Sequence, residues 1–258
     1  MILGFPPARL LVLGALVFFA GAVDALAGGG GLITLPAYFA AGLNPVFLLG
    51  TNKLSSSIGT AAACVNYQRG HKLKLRHLSA PIAAALLGSF LGARLSSLLD
   101  PNWFKYILLA IIPGVGALVY SKHDFGKTDR SGELTPSALE SRSVRISLGV
   151  GLYDGFIGPG TGTFMALAFS RWCRYDLLGS TARAKFLNLA TNLAALTFFL
   201  FAGRVQLLLG LAMGAASLCG NWAGAHLGLK RGADAIRPAV IFVCAGLFAK
   251  LAWDCLHR

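Results

Sequence analysis

Charge is what this chain has little of. Asp, Glu, Lys and Arg together make up 13% of its 258 residues, against about 25% in an ordinary soluble domain, and that excludes a conventional soluble fold. The acids are scarcest, 10 Asp and Glu against 23 Lys and Arg. Catalytic and metal signatures are missing too. The five cysteines, Cys64, Cys173, Cys219, Cys244 and Cys255, form no C-x-x-C pair, so neither a zinc ribbon nor a redox pair is expected. They are read as small packing residues. There is no G-x-x-x-x-G-K-[ST] loop, which argues against ATP drive within the chain. No H-E-x-x-H pattern occurs either, and His226 is the one histidine in an apolar stretch; His71 and His77 lie in a basic, solvated loop. An intramembrane enzyme is therefore disfavoured, and no cofactor is predicted.

What the chain has is apolar length. It is 55% hydrophobic with a mean hydropathy of +0.66. The stretches 32–49 and 186–203 carry no charge, 205–229 carries none beyond His226, and 10–27, 78–99, 103–120 and 146–169 carry one each; 238–249 is apolar as well. A bilayer-spanning helix needs roughly 17–25 apolar residues. The expected fold is an all-α polytopic membrane protein, a single membrane-embedded unit over 1–258 with seven or eight membrane segments. The net charge of +13 is read as basic loops on the cytoplasmic side and not as a nucleic-acid surface. Arg9, the apolar run after it and "ALA" at 25–27 imitate a secretory leader, a reading the internal repeat opposes.

That repeat begins with "GAVDALAGGG" at 21–30, which returns as "GLYDGFIGPG" at 151–160, 130 residues later. Lys53 matches Lys185, and "GSFLGARL" at 88–95 matches "GNWAGAHL" at 220–227, now 132 residues later. Three matches nearly in register predict two homologous halves, 8–120 and 143–255, joined by a polar linker at 121–142, with about four helical segments each. Equivalent loops carry opposite charge bias: 41–47 has no Lys or Arg while 170–178 has Arg171 and Arg174; 67–77 has Arg69, Lys72, Lys74 and Arg76 while 202–206 has Arg204; 96–102 has none while 229–237 has Lys230, Arg231 and Arg237. Parallel halves would share one bias, so inverted halves are expected. Inversion needs an odd number of crossings per half. The glycine runs offer the place where the first segment breaks and re-enters, since non-helical backbone is tolerated at membrane depth where protein or a watery cavity covers it.

The glycine break, then "GTNKLSSSIGTAAACVNYQRG" at 50–70, "FIGPGTGTFMALAF" at 156–169 and "ARAKFLNLATNLAALTFFLFAG" at 182–203 resemble the sulfite exporter TauE/SafE family, also called predicted permeases or the 4-toluene sulfonate uptake permease family. The resemblance covers essentially the whole chain. It implies a bacterial-type multi-pass carrier of the inner (plasma) membrane whose partners are the lipid bilayer and a small sulfur-containing or organic anion.

The residues themselves point the same way. A lysine inside the membrane costs about 2.5–3.5 kcal/mol on insertion scales, and Lys53 and Lys185 stand at matching positions, read as at or near the start of apolar segments. Asn52, Ser56 and Thr60 accompany the first; Asn188 and Asn192 share a helical face with the second at i+3 and i+7. A helix restarting after glycines offers unpaired N–H groups and a positive dipole end to an anion. Gly28, Gly29, Gly30 and Gly31 with Thr34, and Gly158, Gly160, Thr161, Gly162 and Thr163, are thus two candidate anion cradles. Each feature also has a purely architectural reading: lysines snorkelling to the interface, Asn, Ser and Thr bonding helix to helix, glycines allowing close packing. Gly88-x-x-x-Gly92 and Gly220-x-x-x-Gly224 are read as such contact ridges. Asp24 and Asp154 are candidate proton carriers that could equally neutralise a lysine or cap the break. The leading expectation is a secondary carrier of small anions, with an ion channel or a cation-coupled exchanger as the alternative class.

Overall fold

The computed structural model describes residues 5–99, 128–231 and Trp253; the apolar stretches 103–120 and 238–249, and Cys244 and Cys255, lie outside the described residues. Eight α-helices are present among them: α1 (Pro7–Ala27), α2 (Gly31–Ala40), α3 (Pro45–His71), α4 (Ser79–Ser96), α5 (Pro136–Phe156), α6 (Thr161–Trp172), α7 (Leu177–Phe201) and α8 (Leu207–Arg231). No strand occurs among the described residues. The segments Pro7–Ala27, Leu75–Ser96, Leu177–Phe201 and Leu207–Arg231 are long and apolar enough to cross a membrane.

Local chemistry sets the boundaries. Pro7, Pro45 and Pro136 sit at first-turn positions, where a missing N–H costs nothing. Asn44 Oδ1 accepts from Val46 N, and Thr135 Oγ1 and Asp176 Oδ1 cap α5 and α7 by accepting from Ala138 N and Gly179 N. Helix α5 begins inside the stretch read from sequence as linker. Glycines close α1 and α5: Gly28 (φ 76°) after α1, and Gly158 (φ 94°) and Gly160 (φ 80°) between α5 and α6, conformations that cost other residues far more.

Two hairpins result. Arg9, at the start of α1, donates through Nη1 to the Ala41 carbonyl just beyond α2 (3.2 Å). Arg142, near the start of α5, donates to the Trp172 carbonyl at the end of α6 (2.6 Å). In each case the chain returns to the level where its hairpin began. Beside the second hairpin, outside the helices, Glu133 accepts from Arg130 (2.6 Å) and Arg174 (2.5 Å). The hydrogen bond from Arg130, before any other cause, holds its carboxyl below the ordinary range.

The helices pack through glycine ridges, and the contacts come in matched pairs. A methyl group built on Gly88 would lie 2.4 Å from the Leu148 carbonyl oxygen, and one on Gly92 2.1 Å from that of Leu152. At the equivalent positions Gly220 faces the carbonyl of Phe18 (1.9 Å) and Gly224 that of Ala22 (2.2 Å). These registers make α4 run parallel to α5, and α1 parallel to α8. Gly210, Gly214 and Gly228 face Leu54, Ile58 and Tyr67, so α8 also runs parallel to α3. Ser89 Oγ donates to the Thr191 carbonyl (2.7 Å) and Phe90 packs edge-on against Phe198, so α4 is parallel to α7. Helices α3 and α7 are antiparallel: Gly50 faces Phe199, and Gly179 faces His71. The large exposed apolar side chains concentrate on α1, α4 and α8, among them Leu11, Phe19, Leu87, Phe90, Leu208 and Leu211, as a lipid-facing shell requires.

The ridges are tighter than a reading as ordinary small-residue contacts implies, because the neighbour is backbone and cannot rotate away. Gly92→Ala is expected to force α4 and α5 apart and to cost about 1–3 kcal/mol, visible as a lower melting temperature of the purified protein in detergent. Gly149→Ala, in α5 with nothing within 4 Å of the added methyl, should be neutral or stabilising by up to about 1 kcal/mol. Equal melting shifts in the two variants would contradict the packing argument.

Candidate functional site

Lys53 and Lys185 lie more than two turns inside α3 and α7, and neither snorkels: they are 2% and 0% exposed. A buried ammonium needs a partner, and each finds it far along the chain, 101 and 161 residues away in sequence. Lys53 Nζ is 2.6 Å from Asp154 Oδ2 and donates to Asn192 Oδ1 at 3.0 Å. Lys185 Nζ is 3.0 Å from Asp24 Oδ2 and also donates to the Asp24 backbone carbonyl. Both aspartates thus neutralise lysines in this conformation. Asp24 caps the glycine break as well, since Gly30 N donates to its Oδ1 at 3.3 Å. The other Asp154 oxygen accepts from Thr161 Oγ1 at 2.7 Å.

The two glycine breaks meet. A methyl on Gly28 would stand 2.3 Å from Gly162 Cα, and one on Gly162 2.4 Å from Gly28 Cα; Gly31 faces Pro159 at 3.4 Å. Thr163 Oγ1 reaches across to the Ala27 carbonyl (2.5 Å). The close approach places α1 and α5 where their aspartates reach the opposite lysines. Of the N–H groups at the breaks, Gly30 donates to Asp24, Thr161 to the Gly158 carbonyl, and Thr34 to that of Gly30. Those of Gly31, Gly162 and Thr163 meet no acceptor among the described residues. They remain available at two restarted helix ends.

The other sequence candidates scatter around this centre. Thr34 Oγ1 donates to Asn52 Oδ1 (2.5 Å), tying α2 to α3. Gly29 and Gly160 form the bends themselves. Asn188 is buried and Ser56 half-buried; they occupy equivalent positions, three residues beyond the lysines. The sequence marks Thr60 as one of the small polar residues that accompany Lys53. It follows Lys53 at the spacing at which Asn192 follows Lys185, is fully buried, and its hydroxyl has no hydrogen-bond partner among the described residues. Tyr38, whose hydroxyl donates to Ser55 (2.8 Å), also lines this interior without any local signal in its segment. No group of three His, Cys, Asp or Glu side chains able to hold a metal occurs among the described residues.

The sulfite exporter TauE/SafE family profile matches residues 13–251. The "Probable membrane transporter protein YfcA" of Escherichia coli K12 is 36% identical over 249 residues, 95% of this chain and 91% of that protein. The "Probable membrane transporter protein ORF9" of a Sinorhizobium species is 34% identical over 240 residues, 93% and 91% of the two chains. A "Probable membrane transporter protein" of Haemophilus influenzae is 35% identical over 245 residues, 95% of each. No solved structure matches.

Removing one member of a buried pair strands the other's charge, whereas removing both does not. Lys53→Ala or Asp154→Ala is therefore expected to cost about 3–5 kcal/mol, and the double variant less than either. A melting-temperature cycle in detergent measures this. Strictly additive losses would show that the two groups do not depend on each other.

Proposed function

The chain belongs to the sulfite exporter TauE/SafE family of membrane transporters, and from that premise we propose that it is a secondary carrier of small anions of the sulfite or sulfonate class. It is a transporter and not an enzyme. The observation that carries the proposal is the central cluster: two buried lysines, each neutralised by an aspartate of the other half, beside helix ends with unclaimed N–H groups. Helix N-termini and ammonium groups both favour an anion. On this reading the substrate-binding residues are Lys53, Lys185, Asn52, Ser56, Asn188, Asn192, Thr34 and the two glycine breaks with Thr161 and Thr163.

The pairing supplies a coupling rule. A carboxylate and a substrate anion compete for the same ammonium. Protonating Asp24 or Asp154 abolishes the competitor's charge, so the proton and the anion bind together, and the occupied site carries no more net charge than the empty one. That balance matters where an uncompensated charge is expensive.

The proposal includes inverted halves, 8–120 and 143–255, in the inner membrane. It is supported by the reversed loop charges and by helix direction: α1, α3 and α8 share one direction, α4, α5 and α7 the other, so each helix opposes its sequence equivalent. The closed hairpins α1–α2 and α5–α6 support re-entrance, which leaves an odd number of crossings for each half. Residues 67–77, 128–135, 170–178 and 229–231 then face the cytoplasm, where Lys and Arg collect.

Two measurements test this. In proteoliposomes, labelled sulfite and methanesulfonate should enter saturably and faster against unlabelled anion inside; linear, unsaturable flux would instead identify a channel. Single cysteines at 229–231, in a cysteine-free background, should resist an impermeant thiol reagent applied from outside. Labelling there would sink the inverted arrangement.

A further inference from the structure

Resting on the anion-carrier reading, we infer that the two Lys–Asp pairs have different duties: Lys185–Asp24 is the exchanging pair, where a sulfonate-type oxyanion displaces a protonated Asp24, and Lys53–Asp154 is a fixed pin. The pairs occupy equivalent positions, yet their surroundings differ. Asp154 is 2% exposed, with Lys53 at 2.6 Å from one oxygen and the Thr161 hydroxyl, shared with the Gly158 carbonyl, at 2.7 Å from the other, while Asn192 takes a further Lys53 hydrogen. Asp24 is 13% exposed, its ion pair is longer at 3.0 Å, and its second oxygen has only the long 3.3 Å contact with Gly30 N. Asp24 is held by fewer and longer contacts, so less has to be broken to release it.

The second observation is Thr60. Its counterpart Asn192 accepts from Lys53, but the Thr60 hydroxyl, fully buried on the face that α3 shares with Lys53, has no partner among the described residues. Natural interiors rarely leave such a group unpaired. A ligand oxygen beside Lys185 would complete it, with Asn188 on the same α7 face as Lys185 as a further donor. The groups facing Asp24 complete the electrostatic account. From α7 there is Lys185; from α3, Tyr67, whose hydroxyl donates to the Ala25 carbonyl (2.9 Å), and Cys64, both within electrostatic range of Asp24. From α8 the neighbours at the preceding turn are Ser217 and Asn221; from the glycine breaks, Gly30 N reaches Asp24 itself, while Gly162 against Gly28 and Thr163 on Ala27 approach the end of α1. Among the described residues Lys185 is thus the one positive group facing Asp24, and its charge is free for an anion only when Asp24 holds a proton.

Methanesulfonate, whose charge does not change across the assay range, is the probe, with its dissociation constant measured by ligand-induced thermal shift of the full chain in detergent at a series of pH values. In the unaltered protein, affinity should fall up to tenfold per pH unit once Asp24 ionises, the limit for one linked proton. Asp24→Asn should fold, bind at least as tightly as the unaltered protein at its best pH, and show no pH slope. Asp154→Asn should keep the slope at a lower melting temperature; if it does not fold, Thr161→Val, which loosens the same pair, should keep it. Thr60→Val should weaken binding severalfold at every pH. The division of duties is overturned if Asp154→Asn or Thr161→Val flattens the slope, if Asp24→Asn retains it, or if Asp24→Asn does not fold. A slope in the unaltered protein with both Asn variants alike overturns the division but leaves the carrier reading standing, whereas no binding to the unaltered protein removes both.

Discussion

An ammonium group held away from water must have an opposite charge within reach, and this requirement organises the centre of the molecule. Lys53 and Lys185 sit on the two central antiparallel helices, and neither has an acid on its own helix close enough to serve. Their partners come from α5 and α1. For both pairs to close at once, the end of α1 must come within side-chain reach of α7 and the end of α5 within reach of α3, which brings the two glycine breaks together. Only residues without side chains allow that approach, and Gly28 and Gly162 stand Cα against Cα where it happens. The glycine breaks are therefore more than weak points in a helix. They are the condition for neutralising the lysines, while the restarted helices leave N–H groups pointing into the same region.

Reciprocal pairing also suits a carrier in its empty state. A carrier that presents a bare lysine to substrate must change conformation with that charge uncompensated, or not at all. On the carrier reading proposed above, an internal carboxylate takes the place of the anion at each lysine, so the protein can rearrange without stranding a charge in an apolar interior. The two pairs are not identical. Asn192 adds a hydrogen bond to the Lys53–Asp154 pair, whereas the second oxygen of Asp24 has only the long contact with Gly30 N.

Much of this was legible in the sequence, and the remainder was hidden for physical reasons. The apolar runs, the repeat and the glycine breaks are local patterns, each readable within one segment or by matching two. The ridges at Gly88 and Gly220 were legible as contacts but not in their tightness, which depends on a neighbouring backbone more than fifty residues away. Whether Asp24 carries a proton, caps a break or neutralises a lysine could not be decided, because those readings differ only in what lies opposite, and no periodicity encodes a partner far along the chain. In the structure it does the last two at once. The lysines stand at or near the start of their apolar runs yet two turns inside their helices, because each helix begins at its cap, Asn44 or Asp176, well before the run becomes continuously apolar.

The same reasoning explains why α3 does not stand out as a membrane segment by hydropathy. Its residues Thr51, Asn52, Lys53, Ser55, Ser57, Thr60 and Asn66 are polar and buried, and a helix surrounded by other helices owes nothing to lipid. Hydropathy reports contact with hydrocarbon, which here falls to α1, α4 and α8, whose outward faces carry the exposed Leu and Phe side chains. A central helix is free of that demand, so its composition can answer to the site instead. In a chain this poor in charge, a long helix that is buried and yet polar marks where the chemistry is, and α3 and α7 mark it from either side of the two ion pairs.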